Sequence, residues 1–299
     1  GSLVIRQEDP MLFVPPRCPN TACDQHLRPA PKFFWRRGYY HPACRRERVP
    51  RFRCRTCRRG FSRQTFRQDY RDRRPATNAV LFMLLASGVG LRQAGRFLQL
   101  NARSVQDKKR KMTGMLALLH DNLSQTLTKG RCFVLHEEET YEGASIRPLT
   151  MPVMIEKETW FVVATAVGSI RRLAPLGSAR RVRQDWDERL GPRPDQSSAC
   201  VRRVMQELAR KVPAGTILLR TDQKQSYATI AREVFRERLV HETTAGSLLR
   251  NTSNPLFPIN VTLAMTRDNC GRLRRRSWLV TKKAERLQNH LAIFTVYRS

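Results

Sequence analysis

The stretch Cys132-Phe133-Val134-Leu135-His136 is a short apolar run that ends in a polar residue, and it predicts a buried strand. Two more apolar runs, 149–155 and 160–167, follow it, and we expect them to pair with it as antiparallel neighbours. Residues 170–198 are rich in Arg, Pro and Gly, which predicts an exposed insertion after these strands.

A helix and a further strand follow the insertion. Apolar side chains recur at helical spacing over 199–211, which predicts a helix with one buried face. The run 216–221 predicts a strand that ends at Asp222, and a helix fits 226–235. Strands and helices in this order predict an α/β fold.

The composition is strongly basic. The 299 residues contain 56 Lys and Arg against 25 Asp and Glu, which gives a formal net charge of +31 and a pI near 11.2. Self-repulsion of this size is tolerable when a polyanion neutralises it, so we expect a nucleic-acid partner. Hydrophobic residues make up 40% of the chain, which is enough for real cores in two or three domains. No apolar run approaches the ~20 residues of a membrane span, so we expect no membrane contact.

Two pairs of cysteines lie in the first sixty residues, Cys18 with Cys23 and Cys54 with Cys57. Two Cys-bearing turns about thirty residues apart are typical of a zinc ribbon, in which each turn supplies two thiolates to a tetrahedral Zn²⁺. We therefore expect a structural zinc site in a ribbon over 3–70. Basic residues crowd the second turn, and we expect phosphate contacts from Arg55, Arg58 and Arg59.

Other interpretations of the cysteines stay open at this point. Cys44, with His41 nearby, could replace one of the four ligands, because spacing alone does not exclude it. Buried free thiols are the plainer alternative, and disulfides are a weaker one in a basic intracellular chain.

Residues 75–128 predict a DNA-binding domain with a connector. Helical spacing from Ala79, a second helix over 91–98, a polar turn at 99–101 and a basic helix from Ala102 predict a helix-turn-helix. An ordinary helical hairpin has the same pattern, and 112–127 predicts a further, connecting helix. We expect DNA contacts from Arg103, Lys108, Lys109, Arg110 and Lys111.

Two charged clusters allow more than one interpretation. Glu137, Glu138, Glu139 and Glu142 are either a solvated acidic turn, a vestigial metal site or a partner for a basic helix. A second, basic cluster is predicted on one or two late helices as a solvated face or a phosphate contact. Its members are Arg272, Arg274, Arg275, Arg276, Lys282, Lys283 and Arg286.

Together, these motifs resemble the bacterial insertion-sequence transposases that have an N-terminal zinc ribbon, a helix-turn-helix and a ribonuclease-H-like (DDE-type) domain. The resemblance runs from about Cys18 to Arg298. It is carried by Cys18-Pro19, Cys23, Arg51-Phe52-Arg53-Cys54-Arg55-Thr56-Cys57, Phe61-Ser62, Thr65-Phe66, Glu137, Glu139-Thr140-Tyr141-Glu142, Pro148-Leu149, Thr221-Asp222, Tyr227, Asn254-Pro255, Ile259-Asn260, Arg267-Asp268-Asn269, Arg272-Leu273, Arg275 to Trp278 and Thr281-Lys282-Lys283.

The resemblance implies a ribonuclease-H-like domain over 130–299, in which three carboxylates hold two Mg²⁺ ions for phosphodiester chemistry. Carried over by position, the three ligand positions of the family fall on His136, Asp222 and Asn260 in this chain. Where the family's first strand ends in Asp, this chain has His136, which cannot supply an anionic oxygen. Glu138 lies two residues on, on the same face of a strand, and could partly substitute.

We therefore expect a transposase-type protein that recognises duplex DNA at insertion-element ends and has a degenerate DDE site. The alternative is an active DDE-type transposase, and Mg²⁺ is needed only in that case. A second alternative is an RNA-binding zinc-ribbon protein, which is less favoured because a helix-turn-helix suits the B-form major groove. The resemblance also implies a homodimer and a cytoplasmic, nucleoid-associated location in bacteria.

Overall fold

A computed structural model describes residues 12–44, 47–67, 69–127, 131–171, 178–249, 251–274 and 278–298. They form two compact units that divide after Asn78. The prediction of three domains, at 3–70, 75–128 and 130–299, stays a prediction.

The first unit is a small antiparallel sheet with an aromatic core. Its elements are α1 Asp24–Leu27, β1 Phe34–Tyr40, β2 Val49–Cys54 and β3 Gly60–Ser62, and the strand order is β1-β2-β3. Phe33, Phe52 and Phe61 are buried beside the cysteines, and the rings of Phe52 and Phe61 stack at 5.7 Å. So few apolar side chains form a weak core, which is why the four cysteines matter for this unit.

The second unit begins with three helices, α2 Thr77–Ala86, α3 Leu91–Leu98 and α4 Ala102–Leu123. The turn between α3 and α4 has Gln99 in the left-handed region, and Asn101 caps α4 by accepting from the Ser104 N–H at 2.7 Å. Gly95 is required there, because a Cβ would lie 2.7 Å from the Leu100 carbonyl oxygen. Two helices joined by a tight turn are present, and their assignment as a DNA-binding helix-turn-helix stays a prediction. The basic helix and the predicted connector are one helix, since no proline interrupts them.

A mixed sheet forms the centre of the second unit. Its strands are β4 Cys132–Glu142, β5 Ala144–Glu156, β6 Val162–Thr165, β7 Gly168–Ser169, β8 Ile217–Asp222 and β9 Leu239–Thr244. The order is β6-β5-β4-β8-β9, with β7 beside β5. The first strands pair antiparallel, whereas β8 is parallel to β4 and β9 is parallel to β8. The predicted α/β class is confirmed, and the order agrees with the ribonuclease-H-like arrangement that the resemblance implies.

Helices cover both faces of this sheet. They are α5 Ser178–Leu190, α6 Ser197–Lys211, α7 Gln225–Phe235, α8 Phe257–Asn269 and α9 Ala284–Arg298. Helices α6 and α7 pack on the face that carries Phe133 and Leu135, and α8 and α9 pack on the face that carries Val134. Because neighbouring residues of β4 point to opposite faces, the two faces receive different acidic side chains.

Helix α9 joins the helix-turn-helix to the sheet. Its Ile293 belongs to the core formed by α2, α3 and α4. His290, buried in the same helix, donates from Nε2 to the Leu85 carbonyl oxygen at 3.0 Å. Burial holds the pKa of His290 down at about 3, so the ring stays neutral and keeps this donor. The three helices are therefore fixed on the sheet by apolar contacts and a buried hydrogen bond.

The predicted insertion at 170–198 contains α5, none of whose described side chains is buried. Residues 172–177 of the insertion lie outside the described part. None of the helices in that part is long and apolar enough to cross a membrane.

Candidate functional site

Four cysteine sulfurs converge in the first unit. The Sγ atoms of Cys18, Cys23, Cys54 and Cys57 all lie within 4.8 Å of one another, with Cys18–Cys57 at 3.6 Å and Cys23–Cys54 at 3.9 Å. Zn–S bonds of ~2.3 Å in a tetrahedron place sulfurs ~3.8 Å apart, so the donor set fits the ion. The cluster could bind a metal such as zinc.

Burial, a backbone N–H group and neighbouring thiols shift the pKa values of these cysteines. Burial acts to raise the pKa of Cys57, but the Arg59 N–H and the neighbouring thiols outweigh it and lower that pKa to about 7. Burial raises the pKa of Cys18 to about 12. Cys44 is not part of the group: its Sγ lies 4.0 Å from Gln64 Nε2, and His41 is exposed. The open alternative in which Cys44 or His41 replaces a ligand is therefore not favoured.

The turn that contains Cys54 and Cys57 carries three exposed arginines, two of which lie over the Trp35 ring. Arg55, Arg58 and Arg59 are all exposed. The Arg58 guanidinium lies 4.5 Å from the centroid of the Trp35 ring, and that of Arg55 lies 5.7 Å from it. The predicted phosphate contacts of these arginines stay a prediction, and the geometry leaves their charges accessible.

His136, in the middle of β4 and just beyond its parallel ladder with β8, meets Asp222 at the carboxyl end of β8. The His136 Nδ1 atom lies 3.3 Å from Asp222 Oδ2, although Nδ1 is buried without a hydrogen-bond partner in the described part of the chain. The contact is therefore close but poorly aligned. The imidazole and the Lys224 backbone N–H hold the pKa of Asp222 below its usual value. These are the positions that the resemblance assigned to the first two metal ligands.

Glu138 is on the same face but is already paired. Its Oε2 accepts from Arg267 Nη1 of α8 at 2.5 Å. Asn260 lies two helical turns before Arg267, so both are on one face of α8, and Asn260 is half-buried there. The sequence therefore places the third assigned position on the helix that crosses β4, while an arginine holds the possible substitute carboxylate.

Glu137 is held on the opposite face of β4. It accepts hydrogen bonds from Tyr227 Oη at 2.7 Å, Thr150 Oγ1 at 2.7 Å and Ser197 Oγ at 3.0 Å, and it pairs with Lys224. Burial acts to raise the pKa of Glu137, but these donors outweigh it and lower that pKa. The interpretation of the acidic residues as a solvated turn is wrong, because they lie on a strand with partners of their own.

These residues do not fit a pair of Mg²⁺ ions. Of the three assigned positions only Asp222 supplies a carboxylate, and His136 presents a nitrogen where Mg²⁺ prefers oxygen. Glu138 would have to leave Arg267 before it could act as a ligand. Among the described residues the four cysteines converge as a group of possible metal ligands, whereas no three acidic or histidine side chains do.

The cationic residues that α4 exposes differ from the set predicted to contact DNA. Arg103, Arg110 and Lys111 are exposed, and Arg110 lies 3.8 Å from Asp107 on the same face. Lys109 is fully buried and Lys108 is 9% exposed, so the prediction that both contact DNA is wrong for this fold. The sequence did contain the signal: Val105, Lys109, Met112 and Leu116 follow helical spacing, and the three apolar ones form the buried stripe.

The late basic residues also differ from the prediction. Arg272 lies in a 3₁₀ turn, and Arg274, Lys282 and Lys283 lie in the connection between α8 and α9 rather than on a helix. Arg275 and Arg276 are outside the described residues. Lys282 and Lys283 are exposed, whereas Arg272 is half-buried. Arg286 does lie on a late helix, α9, as predicted, and it is half-buried there.

Comparison with known proteins gives little similarity. No family model matches the sequence, and no curated protein matches it. The crystal structure of the Mos1 mariner paired end complex with Mn contains a chain with 12% identity and a TM-score of 0.27, covering 74% of this chain and 76% of that one. An overlap of this size does not define a common fold.

Proposed function

We propose that the chain is a transposase-type protein that binds specific duplex DNA, such as the ends of an insertion element. The observation that carries the proposal is the exposed cationic face of α4, next to a helix-turn-helix turn. A second helix after such a turn has the dimensions of the major groove. The +31 net charge supports a polyanionic partner.

We also propose that the four-cysteine cluster holds structural Zn²⁺. The metal would fix the turn that carries Arg55, Arg58 and Arg59, whose exposed charges support a second phosphate-binding surface. Two copies on paired DNA ends are proposed from the family resemblance, and light scattering of the DNA complex tests that stoichiometry.

Neutralising α4 should weaken DNA binding. In an Arg103→Gln/Arg110→Gln double variant we expect a roughly 10–100-fold weaker Kd for duplex DNA, because two charge-assisted phosphate or base contacts are lost. The log–log salt slope should become shallower by about 2, since each phosphate contact contributes ~0.9. Fluorescence anisotropy over a salt series measures both quantities.

An Arg232→Gln/Arg236→Gln variant is the matched control. It removes the same charge from two exposed positions at the end of α7, so its Kd should change less than threefold. Equal effects of the two double variants would mean that net charge alone drives binding, and the assignment of α4 would be abandoned. Tighter binding of single-stranded RNA than of duplex DNA would favour the alternative function.

We further propose that the chain has lost metal-dependent cleavage. The proposal rests on the ligand chemistry at His136, Asp222 and Glu138. With Mg²⁺ or Mn²⁺ and end-containing DNA, we expect the wild type to nick no faster than Asp222→Ala. Strand nicking that disappears in Asp222→Ala would show an active transposase instead.

A variant that adds a carboxylate ligand tests whether the two side chains share a metal site. His136→Asp restores a carboxylate beside Asp222, so Mn²⁺ should bind at least about tenfold more tightly than in the wild type. Calorimetric titration of both proteins measures this ratio. An unchanged Mn²⁺ affinity would show that the two side chains do not share a site.

A further inference from the structure

A cavity of about 550 Å³ lies between the start of α3 and the chain that follows α8. We call it the junction pocket. Its charged lining residues are Arg92, Arg272, Lys282 and Arg286. Leu91, Leu279 and other neutral residues form the rest of the wall, and none of the described lining residues is a carboxylate. The described lining of the pocket thus gathers four cations and no anionic side chain.

A fifth cation is buried next to this lining. Lys109 is fully buried, and its Nζ donates to the Arg286 carbonyl oxygen at 3.1 Å. Burial lowers the pKa of Lys109 to about 7, and the nearby Arg272 and Arg286 add to the shift. The Nε of Arg272 is also buried, with no hydrogen-bond partner among the described residues. Buried cations are costly when opposing charge is scarce, and Lys109 faces two arginines but one carboxylate, Glu285, among the described residues, which points to an anionic ligand.

We propose that the junction pocket binds the phosphoryl oxygens of a nucleotide chain, with a DNA backbone phosphate as its ligand. The identification of DNA as the source of the phosphate rests on the proposed function. The inference that the pocket binds a phosphate group does not. Guanidinium groups match phosphate oxygens bidentately, and the backbone N–H groups at the start of α3 favour the same charge.

This position would couple two parts of the second unit. A phosphate in the pocket contacts α3 of the helix-turn-helix on one side and Arg286 of α9 on the other. Since α9 packs on the sheet, DNA held there would be fixed relative to His136 and Asp222 as well as to α4.

Pyrophosphate is the probe, and calorimetric titration of the full chain is the measurement. Arg92 and Arg96 are exposed arginines one turn apart on α3, and of the two only Arg92 lines the pocket. We expect the affinity for pyrophosphate to fall at least threefold in Arg92→Gln and at least tenfold in Arg286→Gln. In Arg96→Gln this affinity should change less than twofold. Equal effects at Arg92 and Arg96, or no binding by the wild type, would overturn the proposal.

Competition identifies the source of the phosphate. Unlabelled duplex DNA should displace pyrophosphate from the wild type. Displacement by ATP but not by DNA would overturn the assignment of DNA as ligand. If DNA binds through Arg103 and Arg110 while pyrophosphate does not bind, the pocket fails and the proposed function stands. If pyrophosphate binds with the expected variant pattern and DNA does not bind, the pocket is a phosphate site and the proposed DNA-binding function fails.

Lys109 gives an independent readout. An anion in the pocket stabilises the charged ammonium, so binding near pH 8 should take up a proton. The groups that face Lys109 are Cys270, Arg272, Glu285, Arg286 and His290. Titrations in two buffers of different ionisation enthalpy should show more uptake in the wild type than in Lys109→Met, because the probe itself titrates equally in both. Equal uptake by the two proteins would contradict the inference.

Discussion

Replacing Cys54 by serine is expected to unfold the first unit and leave the second unit folded. Structural zinc in small domains contributes roughly 10–16 kcal/mol of apparent binding free energy, far more than an aromatic core of this size supplies. Cys54 is fully buried, and its Sγ lies 3.9 Å from that of Cys23, so the substitution removes one of the four converging sulfurs. Chelation of the wild type should produce the same state.

Metal content and limited proteolysis measure this result together. The wild type should contain one zinc per chain and resist cleavage before residue 78, whereas Cys54→Ser should lose the metal and be cleaved there. Cys44→Ser is the matched control, because Cys44 belongs to the same unit but lies outside the cluster. Loss of zinc in Cys44→Ser, with zinc retained in Cys54→Ser, would show that the ligand set is a different one.

Replacing Lys109 by methionine is expected to stabilise the second unit. Below pH 7 the folded chain must bury a charged ammonium, whose pKa of about 7 compares with about 10.5 in the unfolded chain. The unfolded state therefore binds more protons between pH 7 and about 10.5, and wild-type stability rises with pH in that range. Methionine removes this penalty but leaves the Arg286 carbonyl without its donor, so we expect a net gain of about 2–3 kcal/mol at pH 7.

Urea unfolding at pH 7 and pH 9.5 tests both parts of this expectation. From pH 7 to pH 9.5 the free energy of unfolding of the wild type should rise relative to that of Lys109→Met. The difference in this free energy between the two proteins should therefore be smaller at pH 9.5. Lys111→Met removes an exposed lysine from the same helix and should change stability by less than about 0.5 kcal/mol. A destabilised Lys109→Met would mean that Lys109 is charged and well compensated in the folded state.

These two variants would also show a conflict between stability and ligand binding. Lys109→Met should be more stable but should lose the proton uptake of the junction pocket. A buried cation that lowers stability persists when binding requires it. The pair of measurements therefore separates a lysine kept for a ligand from one kept for the fold.

Local sequence patterns predicted most of the elements. The helices at 91–98 and 199–211 and the strand ending at Asp222 agree with the structure to within a few residues, whereas the strand predicted over 132–136 starts as expected but continues to Glu142. They were predictable because hydrophobic period and turn residues are short-range properties. The cysteine spacing likewise selected the four sulfurs that converge, because a metal turn is a local structure.

Spatial neighbours were less predictable. Whether His136 meets Asp222 depends on the parallel pairing of β4 with β8, which joins residues far apart in the chain. Glu137 and Glu138 are adjacent in sequence, yet one binds Tyr227 and the other Arg267, because a strand sends them to opposite faces.

The sequence by itself determined the basic charge, the cysteine pattern and the order of the strands and helices that it predicted, since composition and local periodicity set these. Tertiary structure decided which cations face solvent: Arg103 and Arg110 do, whereas Lys109 is buried beneath α9 in an otherwise apolar stripe. It also placed Arg92, Arg272 and Arg286 around one cavity. The reason is that burial and proximity of charge depend on which elements pack together, and α4 packs on a helix more than 150 residues further along the chain.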